Sequence, residues 1–302
     1  MRIRLLTALL LLSLPGVGGA LDSSTTHSAT GEDGSTVHPA PHPVPHSASQ
    51  SEAWTLVWSD DFDGEAGAAV NPENWSFDTG NRSANPPGWG NQELQFYTDS
   101  TDNVRLDGAG HLEIIARREP GGPCWNAATC DYTSGRILTR GKVSFKYGKL
   151  EARIRVPDAG AGIWPAFWTL GVGNEVWPAT GEIDIMEFIG RLPNEVFGTL
   201  HGPGYAGGDS IGETVELGRP VADEFHTYTV IKRPDEIIWY LDGEAYHRLT
   251  PADVPGPWVF ERDFYIILNQ AVGGLLPGPV AEETVFPSVM KVDYVRIYED
   301  SR

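Results

Sequence analysis

Three carboxylates lie within six residues of one another, at Glu182, Asp184 and Glu187. The isoleucines between them favour a β-strand, in which successive side chains point to opposite faces. Glu182 and Asp184 are two residues apart and would share one face, while Ile183 would point the other way, into a core. Because three like charges crowded on one face destabilise a strand, the cluster is a candidate for acid–base chemistry.

Glu187 breaks this alternation, since it lies an odd number of residues from both other acids. One extra residue within the strand would restore the common face, and a β-bulge supplies such a residue. We therefore predict a bulge at Ile185 and Met186 that aims Glu187 beside Glu182 and Asp184. An exposed strand whose charges serve only solubility is the alternative, because charged strand faces are common.

Two carboxyl groups that act as a pair suit glycoside hydrolysis. One attacks the anomeric carbon or activates water, and the other protonates the departing oxygen. The proton donor must stay protonated near neutral pH, and a neighbouring carboxylate raises its pKa. A retaining pair needs carboxyls about 5–5.5 Å apart, whereas residues four apart on a flat strand have Cα atoms roughly 13 Å apart. The chemistry therefore requires a curved sheet with a cleft across it.

Aromatic and polar residues near the acids are candidates for sugar binding, because ring faces pack on the C–H surfaces of sugars and polar groups bind the hydroxyls. Core packing is the alternative for each aromatic residue. The candidates are Trp164, Trp168 and Trp177 before the acids, and His201, Asn269 and Gln270 after them.

Short alternating segments, separated by Gly, Pro, Asn and Asp, extend from Trp54 to the end of the sequence. Without a long amphipathic helix or an internal repeat, this pattern predicts an all-β sandwich of antiparallel strands. Asp242-Gly243 predicts a tight hairpin turn. We expect a single domain over residues 53–302. Predicted strands include residues 112–116, 143–147, 150–156, 228–231, 237–241 and 292–298.

The first part of the chain has the features of an export signal. Residues 1–20 combine two arginines, an apolar run and a small-residue cleavage site, which is typical of a secretory signal peptide. Residues 21–52 are rich in Ser, Thr, His, Pro and Ala and predict a disordered linker. We therefore expect a secreted, extracellular protein with no membrane partner.

Composition narrows the choice of partner. The formal net charge of −19 disfavours nucleic acids and anionic membranes, both of which bind basic surfaces. It also disfavours a strongly anionic polysaccharide, so a neutral polysaccharide is the expected partner. The only two cysteines, Cys124 and Cys130, predict a disulfide in an exported protein, one that closes a short loop.

Several motifs resemble those of glycoside hydrolase family 16. Residues 182–187 (Glu-Ile-Asp-Ile-Met-Glu) match the family signature in its six-residue form, which resembles the laminarinase, or endo-1,3-β-glucanase, branch. The resemblance runs from about residue 55 to residue 300. Further matches are residues 89–95, 133–137, 147–153, 164–168, 271–274 and 292–298.

The resemblance implies a concanavalin A-like β-jelly-roll of two curved antiparallel sheets, with a concave substrate cleft. It implies cleavage with retention of configuration, with Glu182 as the nucleophile, Glu187 as the acid/base and Asp184 as a helper between them. The family positions that line the cleft are matched by Trp164, Trp168 and His201.

Many members of this family hold one structural Ca²⁺ on the convex side. The resemblance implies Asp293 as its carboxylate ligand, with carbonyls near Asp63 and Gly110. An Asp293 that caps a turn or pairs with Arg296 is the alternative. No cofactor is implied for catalysis, and we expect a monomer.

Together these features predict a secreted endo-1,3-β-glucanase acting on laminarin-like β-glucan. A mixed-linkage 1,3-1,4-β-glucanase is the nearest alternative, and a β-glucan-binding protein without catalysis is a second. The presence of both Glu182 and Glu187 disfavours the second. Residues 275–279 (Leu-Leu-Pro-Gly-Pro) depart from the polar or aromatic residues common in the family, so the preferred chain length stays open.

Overall fold

The computed structural model describes residues 53–81 and 87–301. The predicted signal peptide (1–20) and linker (21–52) lie outside the described residues. Within the described part of the chain, no helix has the length and apolar character needed to cross a membrane.

The described residues form seventeen strands and four short 3₁₀ turns. The turns are Gly88–Gly90, Gly207–Asp209, Val221–Asp223 and Pro251–Asp253. The strands are β1 (Trp54–Asp60), β2 (Ser76–Phe77), β3 (Gln95–Tyr97), β4 (Val104–Leu106), β5 (Leu112–Arg118), β6 (Tyr132–Ser134), β7 (Arg136–Leu138), β8 (Gly148–Arg155), β9 (Ile163–Gly171), β10 (Glu182–Glu187), β11 (Glu195–His201), β12 (Ile211–Glu216), β13 (His226–Arg233), β14 (Glu236–Leu241), β15 (Glu244–Leu249), β16 (Phe264–Val272) and β17 (Ser288–Asp300).

Two sheets face each other. The seven-stranded sheet has the order β12-β11-β10-β9-β16-β7-β2 and is concave on its outer face. The ten-stranded sheet has the order β15-β14-β13-β8-β17-β5-β6-β3, with β1 paired to β17 and β4 paired to β5. All pairs are antiparallel except β3 with β6. This is the predicted β-jelly-roll, with β10 inside the concave sheet.

Alternation of apolar and polar residues builds the core between the sheets. In β8, Leu150, Ala152 and Ile154 are fully buried while the residues between them reach solvent. From the other sheet, Phe167 and Ile183 enter the same core. One face of each sheet is therefore used for packing, which leaves the concave face of the seven-stranded sheet for other roles.

Of two local predictions, the turn at Asp242-Gly243 is confirmed and the strand at 143–147 is not. Asp242 and Gly243 both have positive φ, 50° and 85°, as the predicted tight turn between β14 and β15 requires. The predicted strand at 143–147 is wrong: only Phe145 forms a bridge, with Phe264. The reason is local. The Val143 N–H and C=O groups both form hydrogen bonds with Thr139, so they cannot pair with a neighbouring strand.

Candidate active site

A bulge in β10 brings the three acids to one face of the sheet. The pairing of β10 with β9 shifts between Asp184 and Met186, and its pairing with β11 shifts between Asp184 and Glu187. Ile185 and Met186 are both buried against the core. The predicted bulge is therefore confirmed, and Glu187 lies on the concave face with the other two acids.

Side chains from the opposite sheet hold the bulge. The Trp239 indole in β14 donates a hydrogen bond of 2.9 Å to the backbone carbonyl of Asp184. The Tyr246 hydroxyl in β15 lies 3.5 Å from the carbonyl of Ile185. A bulge frees backbone groups from the ladder, and buried carbonyls need partners. Strand patterns did not reveal these contacts, because nothing in a single strand specifies its partner across the core.

Glu182 is held at one end of β10. The indole N–H of Trp177 donates to its Oε2 at 2.9 Å, and His201 Nε2 lies 3.7 Å from its Oε1. Burial and the charge of Asp184 raise the pKa of Glu182 to about 8, although the neighbouring His201 acts in the opposite direction. Among the predicted sugar-binding residues, Trp177 and His201 therefore lie directly beside an acid.

Asp184 lies between the other two acids and is 4% exposed. Burial and the charge of Glu187 raise the pKa of Asp184 well above its ordinary value, and a hydrogen bond with Glu182 lowers it in part. His201 Nε2 lies 3.0 Å from Asp184 Oδ2. Because His201 Nδ1 accepts a hydrogen bond from the Gly207 N–H at 3.1 Å, the ring proton is on Nε2 and faces the acids.

Glu187 accepts two hydrogen bonds. Trp164 Nε1 donates to its Oε1 at 3.2 Å, and the Thr199 hydroxyl donates to its Oε2 at 3.1 Å. Burial raises the pKa of Glu187, while His201 and the two donors lower it. Trp164 is a predicted residue. Thr199 was missed, although its pairing opposite Asp184 in β11 places it on the acid face.

Glu182, Asp184 and His201 also place potential metal-ligand atoms within 4.8 Å of one another. Within residues 53–81 and 87–301 this is the only such group of three. The three carboxyls share one face and have raised pKa values, as expected for a proton donor that stays protonated near neutral pH. The arrangement can supply one carboxylate as a nucleophile and one carboxylic acid as a proton donor.

A second group of residues extends the concave face on the β9 side. Trp168 Nε1 donates to Asn269 Oδ1 at 2.7 Å. The Arg136 guanidinium lies between two indoles, 4.8 Å from the Trp168 ring centre and 4.7 Å from that of Trp89, and it bonds Asp78 at 3.1 Å. Trp168 and Asn269 were predicted. Trp89 and Arg136 were not predicted as site residues, although both lie in motifs that resemble those of the family.

The prediction that Gln270 binds sugar in the cleft is wrong. Its side chain is fully buried, and its amide donates to the Ser288 carbonyl and hydroxyl at 2.9 and 3.0 Å. Because adjacent residues in a strand face opposite sides, Asn269 points to the cleft and Gln270 points into the core. Gln270 therefore does not contact a ligand in the cleft.

The predicted calcium ligands have other contacts. Arg153 Nη1 bonds Asp293 Oδ2 at 2.6 Å, so the carboxylate has an ion-pair partner, but this partner is not Arg296, the alternative that the sequence offered. Arg296 pairs with Asp61 instead. A Cβ built on Gly110 would lie 3.8 Å from Asp63 Oδ1, so these two positions are close together. The ion pair with Arg153 competes with Ca²⁺ for the Asp293 carboxylate.

The disulfide between Cys124 and Cys130 is present, as predicted. The loop that it closes packs against residues 81 and 93, because Trp125 donates from Nε1 to the Glu93 carbonyl and from its backbone N–H to the Asn81 side chain. On the same side, the Leu275 N–H bonds the Asn91 carbonyl at 2.7 Å and its side chain is 67% exposed. An apolar segment thus lies against residues 88–93.

Comparisons with known proteins agree with one another. The sequence profile for glycosyl hydrolases family 16 matches residues 88–275. The chain is 40% identical over 260 residues to a β-glucanase from Rhodothermus marinus, covering 81% of this chain and 85% of that protein. It is 35% identical over 218 residues to an endo-1,3-1,4-β-glycanase from Rhizobium meliloti, covering 69% of this chain and 44% of that protein. The laminarinase catalytic domain from Thermotoga maritima has a similar structure, with a TM-score of 0.77 and 45% identity over 83% of this chain and 100% of that one.

Proposed function

The chain belongs to glycosyl hydrolase family 16, and on this basis we propose that it is a secreted endo-1,3-β-glucanase that cleaves laminarin-like glucan with retention of configuration. One observation carries the proposal: the bulge in β10 gathers Glu182, Asp184 and Glu187 on the concave face. Charges that served only solubility would require neither that bulge nor the indole and hydroxyl groups that donate hydrogen bonds to these acids.

In the first step, a Glu182 oxygen attacks the anomeric carbon and forms a glycosyl-enzyme ester. The glycosidic C–O bond breaks, and its electron pair leaves with the oxygen, which takes a proton from Glu187. Trp177 orients the nucleophile through its bond to Oε2, and Trp164 and Thr199 orient the acid.

In the second step, Glu187 is a carboxylate and acts as the base. It removes a proton from water, whose oxygen attacks the same anomeric carbon and releases Glu182. Two inversions at one carbon give retention. Glu187 is protonated again at the end, so the enzyme returns to its starting state.

The first chemical step requires that the three acids differ in protonation state. Their pKa values are all raised, so the cluster holds more protons near neutral pH than free carboxyls would. A proton shared between Asp184 and Glu182 leaves one negative charge on that pair, and Glu187 keeps its own proton. The His201 N–H faces the pair and stabilises its charge. As Glu182 forms the ester, the shared proton stays on Asp184.

Other features of the proposal extend beyond the site. We place a signal peptide at 1–20, a linker at 21–52 and the catalytic domain at 53–302, with the mature enzyme exported as a monomer. Enzymes of this family need no cofactor for catalysis. A structural Ca²⁺ at Asp293, Asp63 and Gly110 stays a prediction that a metal titration would test.

Mixed-linkage 1,3-1,4-β-glucan is the second candidate substrate. The relative from Rhizobium meliloti supports it, since that protein is named an endo-1,3-1,4-β-glycanase. A β-glucan-binding protein without catalysis is disfavoured, because both glutamates are present and hydrogen-bonded in the cleft.

Product analysis tests the function. Purified protein is incubated with laminarin, mixed-linkage glucan and agarose, and products are resolved by size and anomeric configuration. We expect 1,3-linked oligosaccharides of several lengths from laminarin, released first as the β-anomer. Release of single glucose units, of the α-anomer, or of products from agarose alone would contradict the proposal.

A further inference from the structure

A buried carboxylate, Glu93, lies outside the acid cluster. It is behind the cleft wall, the part of the concave face formed by Trp89, Arg136 and Trp168. Glu93 is 4% exposed and takes no part in the proposed chemistry. Its Oε2 accepts a hydrogen bond of 2.6 Å from the Gln95 side chain and lies 3.4 Å from the Tyr97 hydroxyl. Burial raises the pKa of Glu93 to about 7, while Gln95, Arg136 and Tyr97 lower it. A carboxyl retained at such a position has interactions that offset its burial.

A line of hydrogen bonds connects this carboxyl to the cleft. Trp168 Nε1 donates to Asn269 Oδ1 at 2.7 Å, and Asn269 Nδ2 donates to the Tyr97 oxygen at 3.1 Å. Tyr97 then has its own O–H free to donate to Glu93. Every donor points towards Glu93, which ends the line as an acceptor.

The direction of this line depends on residue 93. If the acceptor there were lost, the buried Tyr97 hydroxyl would have to find another one, and the Asn269 amide is the neighbour within reach. The amide would flip to accept from Tyr97 and would present its NH₂ group to Trp168. Two donors would then face each other, and Trp168 would lose its fixed orientation.

The same carboxyl lies close to the outer part of the cleft wall. The Trp89 ring packs edge-on against Tyr97, with 5.4 Å between centroids, and Arg136 lies between Trp89 and Trp168. Trp168 is on β9, next to the acid strand, whereas Arg136 is on β7, three strands away from β10. At about 4.8 Å per strand, the wall extends roughly 14 Å from the acids, so a long chain contacts more of it than a short one.

We propose that Glu93 is a positioning residue that, through Tyr97 and Asn269, fixes Trp168 and the adjoining wall for binding of extended β-glucan chains. The proposal rests on the proposed function and deepens it, because it assigns chain-length preference to a residue that does not touch the substrate. Glu93 acts on binding and leaves the chemical step unchanged.

Kinetics on glucans of increasing length test this role in Glu93→Leu, Glu93→Gln and Tyr97→Phe. We expect Glu93→Leu to raise KM for long laminarin about tenfold with kcat changed less than about twofold, and the rise in KM to shrink as the substrate shortens. Tyr97→Phe removes only the acceptor that anchors the Asn269 amide, so it should raise KM in the same length-dependent way but by less. Glu93→Gln keeps an acceptor oxygen for both donors, so it should retain most of the parent KM. Glu119→Gln is the matched control, since Glu119 bonds Thr133 outside the cleft wall.

A merely structural role would give a different result. It would lower the melting temperature of Glu93→Leu and leave KM unchanged, or raise KM equally for all lengths, and either result overturns the proposal. A fall in kcat with constant KM also overturns it. If Glu93→Leu does not fold, Tyr97→Phe still decides, because it keeps an aromatic side chain of nearly the same size: a parent-like KM for long laminarin in this variant overturns the proposal.

Binding separates this proposal from the proposed function. Calorimetric titration of the Glu182→Gln background with gluco-oligosaccharides, with and without the second substitution, needs no turnover. Length-dependent loss of affinity in the double variant supports the role of Glu93, and equal affinity overturns it. If the background binds no β-glucan and the parent cleaves none, the proposed function itself has failed.

Discussion

The Trp239 indole, fully buried in the ten-stranded sheet, donates a hydrogen bond across the core to the backbone carbonyl of Asp184 in the seven-stranded sheet. The bond meets the strand at its bulge, where a carbonyl has lost its place in the ladder. The geometry of the acids therefore depends on a residue that lies in the other sheet and is distant in the sequence.

Replacing Trp239 by Phe tests this dependence. The Asp184 carbonyl would be buried without a partner, which costs about 1–3 kcal/mol of the free energy of unfolding. We expect kcat to fall as well, because the bulge would relax, with KM nearly constant. Urea unfolding and steady-state kinetics measure both. Trp258→Phe, which loses an exposed bond to Glu261, is the control and should change neither by much.

Glu182→Gln should remove hydrolysis and keep binding. The amide is not nucleophilic, so kcat should fall by about 10⁴-fold or more, while the affinity for glucan stays within about threefold. Turnover of laminarin and calorimetric binding are the measurements. Glu216→Gln, on the exposed edge strand β12, should behave as the parent. Parent-like turnover in Glu182→Gln would show that Glu182 is not the nucleophile.

Glu187→Ala should discriminate between substrates by their leaving groups. On β-glucan the departing oxygen needs a proton, so we expect a loss of about 10²–10⁴-fold in kcat. An aryl glycoside with an activated leaving group needs no proton and should lose far less in the glycosylation step. Burst kinetics on the aryl substrate measure that step. Equal losses on both substrates would contradict the acid/base assignment, and Glu195→Ala on β11 is the control.

Stability should decrease as the pH rises. The pKa values of Glu182 and Glu93 are raised from 4.5 to about 8 and about 7, so the folded protein binds protons that the unfolded chain has already released. This contribution is fully present below about pH 4.5 and is lost as the pH rises through 7 and 8. We expect the free energy of unfolding to fall by about 1 kcal/mol or more between pH 5 and pH 8.

Glu182→Gln provides the control for that pH dependence, because glutamine does not titrate. Urea unfolding at pH 5 and pH 8 should show a shallower fall in this variant, together with a higher stability than the parent at pH 8. Identical slopes in the two proteins would show that the burial of Glu182 does not govern the pH dependence.

Removing the disulfide should have a limited effect. Cys124 and Cys130 are six residues apart, and closing so short a loop contributes about 2 kcal/mol in the chain-entropy description. We expect Cys124→Ala/Cys130→Ala to unfold at lower urea concentration and to keep kcat. A rise in KM would follow if the Trp125 bond to the Glu93 carbonyl also loosens. A loss of stability beyond about 4 kcal/mol would show that the bridge holds more than its loop.

The sequence alone determined the local features of this protein. Alternation of apolar and polar residues gave the all-β class, and the odd spacing of Glu187 gave the bulge, because the period of two in a strand leaves no other way to align three acids. The turn at Asp242-Gly243 and the Cys124–Cys130 pair were predicted on similarly local grounds. Residues 143–147 have the same alternation, but their backbone bonds to Thr139 prevent a strand.

Only the tertiary structure decided which side chains meet. Strand periodicity specifies the face on which a side chain lies but not its partner. It could not reveal that Trp239 bonds the Asp184 carbonyl, that Thr199 bonds Glu187 or that Arg153 forms an ion pair with Asp293. Each of these contacts joins strands that are neighbours in a sheet or face each other across the core. The order of strands and the packing of the two sheets determine such pairs, and these depend on the whole chain.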